Sequence, residues 1–360
     1  MQLGSETPIT LAPSAVASTA AGLRAWIASG ACQSESGAFV AWVDFATGRL
    51  SYDYPEITGY ALTFLASQAS LSEDECSVGH RAAAWLVDRV RRGKLAARDG
   101  WDDDAVYLFD LAMVASGLLS FGRRVQVERY VEAGLELVSF LVDELASTES
   151  ISPVSARGRP SGRRSWSTHG RPHLAKLVQA FLLSGQSAEI ERLNRLIESV
   201  KSLQCADGRM LSHLDELTTM LHPHLYAAEG LWIWGSATGE ADSLERARAA
   251  VEWACTHQLE EGGFPRSVAD GVRSDDAIEQ SDVTAQIVRL ALVFGLGSRV
   301  VERSIARLKE LACESEGMLG MVYQPASPNI HLNTGATLFA AQALAMAVTG
   351  APVVIWSEFV

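Results

Sequence analysis

Gln33-Ser34-Glu35-Ser36-Gly37-Ala38-Phe39, Gln204-Cys205-Ala206-Asp207-Gly208-Arg209-Met210 and Gln258-Leu259-Glu260-Glu261-Gly262-Gly263-Phe264 repeat one pattern. A glutamine is followed by three residues and a glycine, then by one residue and a large apolar side chain. Gly100-Trp101 and Gly317-Met318-Leu319 keep only the glycine and the large side chain. A unit that recurs along a chain stacks against its own copies, so it constrains architecture before any single residue does.

Around these segments apolar residues recur with helical spacing. Amphipathic stretches at 14–28, 55–69, 75–92, 106–120, 126–146, 172–184, 187–203, 223–238, 241–258, 282–296, 299–314 and 332–348 predict twelve helices. Gly, Pro, Ser and Asp fill the breaks, as helix stops should. Odd-numbered helices are mixed in charge, as in Leu244-Glu245-Arg246-Ala247-Arg248. Even-numbered ones are apolar on most sides, as in Leu338-Phe339-Ala340-Ala341-Gln342-Ala343-Leu344, and such helices are buried on most sides. The even helices begin near 55, 106, 172, 223, 282 and 332. Six outer–inner hairpins of this length predict an all-α fold, an (α/α)6 barrel or toroid, in a single domain over 1–360. Every inner helix then starts at one end, and the glycine loops gather there. The loops 148–171 and 204–222 are expected to insert over the mouth, and 38–43 and 320–323 to form short strands or extended loop.

The 360 residues are 48% hydrophobic and 20% charged, ordinary for a globular protein. The formal net charge of −13 disfavours nucleic acid and anionic membrane surfaces, which need clustered Lys and Arg. No run of about 18 apolar residues occurs, so no membrane insertion is expected. No basic stretch with an apolar core marks a secretory signal. Five scattered cysteines lack disulfide and zinc spacing, which points to free thiols in a reducing compartment, the cytoplasm. A homodimer is compatible with the sequence.

The first turns of the inner helices and the loops before them are polar. Six of the eight histidines, His169, His173, His213, His222, His224 and His331, fall at this end. Histidine suits acid–base work near neutral pH. The competing explanation is capping and general loop polarity. Carboxylates stand there too: Asp44, Glu56, the Asp102-Asp103-Asp104 run, Glu229 and Asp282. The aspartate run and Asp282 also suit the positive end of a helix dipole. Glu56 with Tyr60, and Asp282 with Gln286, are four apart and share a helix face. Trp42, Trp101 and Trp166 offer faces for sugar rings, while Arg171, Arg266 and Asn333 can bond hydroxyls. His222-Pro223-His224 with Glu229 could hold a metal, but a third ligand is not signalled. No phosphate loop appears, and no cofactor is expected.

The repeat resembles the glutamine–tryptophan repeats of terpenoid cyclase and protein prenyltransferase toroids, with tryptophan missing. The acid motif of those cyclases is absent. His222-Pro223-His224-Leu225-Tyr226-Ala227-Ala228-Glu229-Gly230 resembles the His-x-His helix start of the N-acylglucosamine 2-epimerase family, also an (α/α)6 barrel. That resemblance implies His224 and His331 as acid and base.

The expectation is therefore a carbohydrate-active enzyme, a sugar epimerase or isomerase working by histidine catalysis on a small-molecule or oligosaccharide substrate. Its expected catalytic residues are His224, His331, Glu56, Glu229 and Asp282. Its expected substrate contacts are Trp42, Asp44, Tyr60, Trp101, Asp102, Asp104, Trp166, His169, Arg171, His173, His222, Arg266, Gln286 and Asn333. A hydrolytic reaction would instead need a carboxylate pair such as Glu56 with Asp282 or Asp104. A terpene-cyclase-like enzyme and a non-catalytic glycan-binding toroid are the alternatives.

Overall fold

The computed structural model describes residues 12–95, 105–146, 152–155, 171–185, 190–211, 217–269, 278–315, 318–349 and 355–360. Its helices are α1 (Pro13–Ala28), α2 (Pro55–Ala66), α3 (Glu73–Arg91), α4 (Leu108–Arg124), α5 (Glu128–Ala146), α6 (Val178–Ser184), α7 (Ile190–Lys201), α8 (Leu221–Thr238), α9 (Ala241–Cys255), α10 (Ser281–Phe294), α11 (Ser298–Leu311) and α12 (Thr334–Thr349). The stretch predicted as one helix at 172–184 divides into a 3₁₀ turn, Pro172–Leu177, and the short α6.

The even helices form a closed inner ring. Helix α2 packs on α4, α4 on α6, α6 on α8, α8 on α10, α10 on α12, and α12 back on α2. Burial follows the apolar composition: every residue of α4 from Leu108 to Leu119 is buried. The odd helices surround the ring, α3 on α2, α5 on α4, α9 on α8 and α11 on α10, while α1 covers α12. Amphipathic faces explain their place. Helix α11 buries Val301, Ser304, Ile305, Leu308 and Leu311, one stripe of a helical wheel.

The repeated segments brace this frame. The Gln33 side-chain amide donates to the Gly37 carbonyl at 2.7 Å and to the Val78 carbonyl of α3 at 2.9 Å. Gln204 does the same to Gly208 and to Arg246 of α9, at 3.1 and 2.9 Å. Gln258 bonds Gly262 and Val300 of α11, at 3.0 and 2.9 Å. Each glutamine thus ties its own turn to the backbone of the next outer helix. The glycines sit at φ of 96°, 97° and 96°, a left-handed region that disfavours a side chain. A Cβ would also strike the carbonyl of Arg81, Ala249 or Arg303.

The large residue after each turn is anchored as well. The amides of Phe39, Met210 and Phe264, and that of Met321 further along the chain, donate to side chains on inner helices. Their acceptors are Thr58 (3.0 Å), His224 Nδ1 (3.1 Å), Thr284 (3.1 Å) and Thr337 (3.0 Å).

Short antiparallel strands lace the mouth loops together. Strands β1 (Trp42–Asp44), β2 (Thr218–Met220), β3 (Ser267–Ala269), β4 (Ala312–Ser315), β5 (Met318–Met321) and β6 (His331–Asn333) pair as β1–β6, β2–β3 and β4–β5. The β1–β6 register sets Trp42 opposite Asn333 and Asp44 opposite His331.

Candidate active site at the barrel mouth

The braced loops and the first turns of α2, α8, α10 and α12 surround a cavity of about 520 Å³. This is within the range of small-molecule sites. Its walls are aromatic and polar: Trp42, Tyr52, Tyr54, Tyr226, Tyr323 and Phe339 alternate with Glu56, His222, Arg266, Gln280, Asp282, Asn329, His331 and Asn333.

At the rim, the ring of His331 stacks on Trp42, with centroids 5.1 Å apart and planes 10° apart. Tyr52 meets Trp42 edge-on at 5.2 Å. One face of the Trp42 platform is therefore covered by imidazole. Thr47 hydrogen-bonds Asp44 through both its amide and its hydroxyl, and these bonds hold the carboxyl below its ordinary pKa. Across the cavity, Gln280 donates to the Tyr323 hydroxyl at 2.9 Å.

Deeper, His222 packs edge-on against Tyr226 at 4.4 Å and near Phe339 at 6.3 Å. Its Nδ1 lies 3.4 Å from a carboxylate oxygen of Asp282. Burial lowers the His222 pKa, and the Asp282 charge works against that shift. Burial also raises the Asp282 pKa, opposed by His222 and by the amide of Val283, which bonds its carboxylate at 2.8 Å. A carboxyl and an imidazole whose environments move them toward each other are suited to passing a proton.

Below this floor lies a buried ion group. Glu229 meets Lys176 at 2.6 Å and Arg289 at 2.7 Å, with all three side chains fully buried. Gln286 donates to the same carboxylate at 3.3 Å. Lys176 sits 4.9 Å from the ring centroid of Tyr60 and 5.0 Å from that of Tyr226. Its burial lowers its pKa to about 8 despite the opposing Glu229 charge. Arg289 further donates to Gln342 at 3.0 Å and to the Val360 carbonyl. Buried charges persist when paired and hydrogen-bonded, and here Glu229 pairs with both cations, although Arg289 Nε has no partner among the described residues.

Among the residues expected from sequence, the cavity gathers Trp42, Glu56, His222, Arg266, Asp282, His331 and Asn333. The structure places His224 apart from the cavity. Its Nδ1 accepts the Met210 amide, and its other ring nitrogen lies 2.9 Å from the Ala250 carbonyl. The ring packs on Trp253, and burial lowers its pKa to about 4. It stands where other repeats place threonine, outside the cavity lining. Glu229 is likewise enclosed by its cations. Tyr60 and Gln286 are buried beneath the floor, and His173 is buried against Phe109. Asp44 is outside the lining, and Arg171 is exposed outside it. Trp101, Asp102, Asp104, Trp166 and His169 lie outside the described residues, as does His213.

Sequence reasoning missed Tyr52, Gln280, Tyr323 and Phe339 as lining residues. Tyr52 and Tyr54 carried a signal, since alternate residues of an extended segment share a face. Phe339 carried none, because it reads as one more apolar position of α12.

No protein-family model matches the chain, and no curated protein sequence matches it. Solved structures do. The chain is similar to unsaturated glucuronyl hydrolase from Bacillus sp. GL1, with TM-score 0.71 and 14% identity over 93% of this chain and 97% of that one. It is similar to cellobiose 2-epimerase from Bacillus thermoamylovorans, with TM-score 0.71 and 11% identity over 92% and 99%. It is also similar to a D-mannose isomerase, with TM-score 0.72 and 12% identity over 96% and 99%. These likenesses show the fold, the (α/α)6 toroid. No helix among the described residues is long and apolar enough to cross a membrane.

Proposed function

We propose that this chain is a sugar epimerase or isomerase that moves a proton at the carbon beside a carbonyl. The observation that carries the reading is that His222, with Asp282 3.4 Å away, and His331 line one aromatic and polar cavity. Burial lowers the His222 pKa and so favours the neutral ring, which can accept a proton from carbon. The electron pair left behind moves into the carbonyl as an enediolate, and a proton returns from His331 or from His222 itself. Tyr52, Tyr54 and Trp42 supply ring surfaces, while Arg266, Gln280 and Asn333 supply hydroxyl partners. His222 replaces His224 in the pair inferred from sequence.

Three similar structures, the cellobiose 2-epimerase, the mannose isomerase and a sugar epimerase from a ruminal bacterium, support a sugar substrate. The lining also weighs against an isoprenoid, which needs a deep apolar pocket. A non-catalytic glycan-binding toroid would have no use for an imidazole beside a carboxyl of raised pKa.

A second reading draws on Asp282. Burial raises its pKa, as a carboxyl acting as a general acid requires, with Glu56 as the other carboxylate of a hydrolytic pair. The glucuronyl hydrolases share the fold.

Incubation with aldoses, ketoses and reducing disaccharides in deuterated water separates the two. Epimerisation labels the carbon next to the carbonyl, whereas hydrolysis releases a new sugar without that label. A sugar panel that gains neither label nor product would overturn both.

A further inference from the structure

We infer that Gln286 is a positioning residue for His222, and that the buried Lys176–Glu229–Arg289 group fixes which way its amide points. The inference rests on the acid–base reading above.

Glu229 accepts from two cations, Lys176 at 2.6 Å and Arg289 at 2.7 Å, so it is ionised and can only accept. The Gln286 atom facing it at 3.3 Å must therefore be the amide nitrogen. That choice sends the carbonyl oxygen the other way. Gln286 is fully buried, and its Oε1 makes no hydrogen bond of ordinary length among the described residues. A buried acceptor left unpaired is costly, so its place in the fold needs a reason.

His222 supplies one. Asp282 and Gln286 are one turn apart on α10 and face the same side. The His222 ring lies against that face, with Nδ1 3.4 Å from Asp282. Gln286 acts on the ring as an acceptor and favours its protonated form, as Asp282 and Glu229 do. The contact is loose, and such hydrogen bonds are often long before substrate binds and tighten when it does. The other groups facing the ring are Tyr226 from α8, and Lys176 and His173 from the 3₁₀ turn. Lys176 opposes the protonated form, so the acceptors on α10 and α8 offset it. Acceptors gathered on the α10 side of the ring favour the N–H on Nδ1, which faces Asp282, and so leave one tautomer and one orientation, as proton transfer to carbon demands.

The test reads His222 directly. Imidazole resonances are titrated by NMR without any sugar, and His222 is assigned by its absence in His222→Ala. Removing the acceptor in Gln286→Leu weakens proton binding by His222 at least about threefold, which moves its midpoint to lower pH. A midpoint unchanged in the folded variant overturns the inference. Gln286→Met, closer in shape, repeats the test if the leucine variant does not fold. The unaltered protein gives an independent reading: nitrogen shifts of neutral His222 show one dominant tautomer, and an even mixture overturns the inference. Because no substrate is used, failure of the epimerase reading leaves this result standing, and the reverse holds too.

Discussion

The backbone amide of Met210 donates to Nδ1 of His224 across 3.1 Å, the same bond that Phe264 makes to the hydroxyl of Thr284. In the threonine copies the hydroxyl also donates to a carbonyl one turn back, from Thr58 to Tyr54, Thr284 to Gln280 and Thr337 to Asn333. His224 thus holds the frame as the threonines do. His224→Thr should keep turnover within about twofold while losing about 1–3 kcal/mol of stability, because packing against Trp253 shrinks. Chemical denaturation and a turnover assay on the same preparation check this.

The same residue makes an acid-stability prediction. Burial lowers the His224 pKa to about 4 in the fold, against about 6.5 in an unfolded chain. The unfolded state then binds protons more readily, so stability is full above about pH 6.5 and falls as pH drops toward 4. The His224 share of that loss is about 3 kcal/mol. Unfolding free energy measured from pH 7 to 4 should show a shallower fall in His224→Thr. His173, with its pKa lowered by burial to about 3, adds a slope of the same sign that the variant leaves in place.

His222 should behave oppositely. His222→Ala should lower kcat by about 10²–10⁴-fold with little loss of stability, the range for a lost general base. Burial sets the His222 pKa below its ordinary value, so the acid limb of kcat/KM should fall below about pH 6.5. The Asp282 charge favours protonated His222, so Asp282→Asn should move that limb lower still. A limb that does not move would remove Asp282 from the dyad.

Breaking the ion group should cost more than removing it. Glu229→Gln leaves Lys176 and Arg289 buried without their carboxylate and should destabilise by about 3–5 kcal/mol. Adding Lys176→Met should recover part of that loss. Thermal unfolding of the single and double variants measures the coupling.

The braces predict an order among glycines. Gly208→Ala meets both a left-handed φ of 97° and the Ala249 carbonyl. Gly239→Ala meets a φ of 79° in open space, so only the conformational penalty of about 1–2 kcal/mol applies. Denaturation midpoints should fall further in the first.

The ring of six hairpins was readable because burial leaves a mark on composition: α4 and α12 are apolar on most sides, and their partners are not. The mouth was readable as an end, since Trp42, Glu56, His222, Asp282 and His331 converge on one cavity. Individual roles were harder to read. His222 and His224 are two residues apart, yet the first faces the cavity and the second faces the outer helix α9. Helical geometry separates them by about 200°, and only the absolute rotation of α8, set by packing, decides which points inward. Glu229 read as a candidate catalyst because its cations, Lys176 and Arg289, come from other hairpins.

Each amide anchor closes a loop of its own length: 19 residues from Phe39 to Thr58, 14 from Met210 to His224, 20 from Phe264 to Thr284 and 16 from Met321 to Thr337. The bond at the end is the same although the span between its ends is not. Closing a longer loop costs little extra entropy. The mouth segments are therefore exchangeable parts on fixed mounts. A loop cut between its anchor points and replaced by a longer one should alter which substrate is taken and leave the ring untouched.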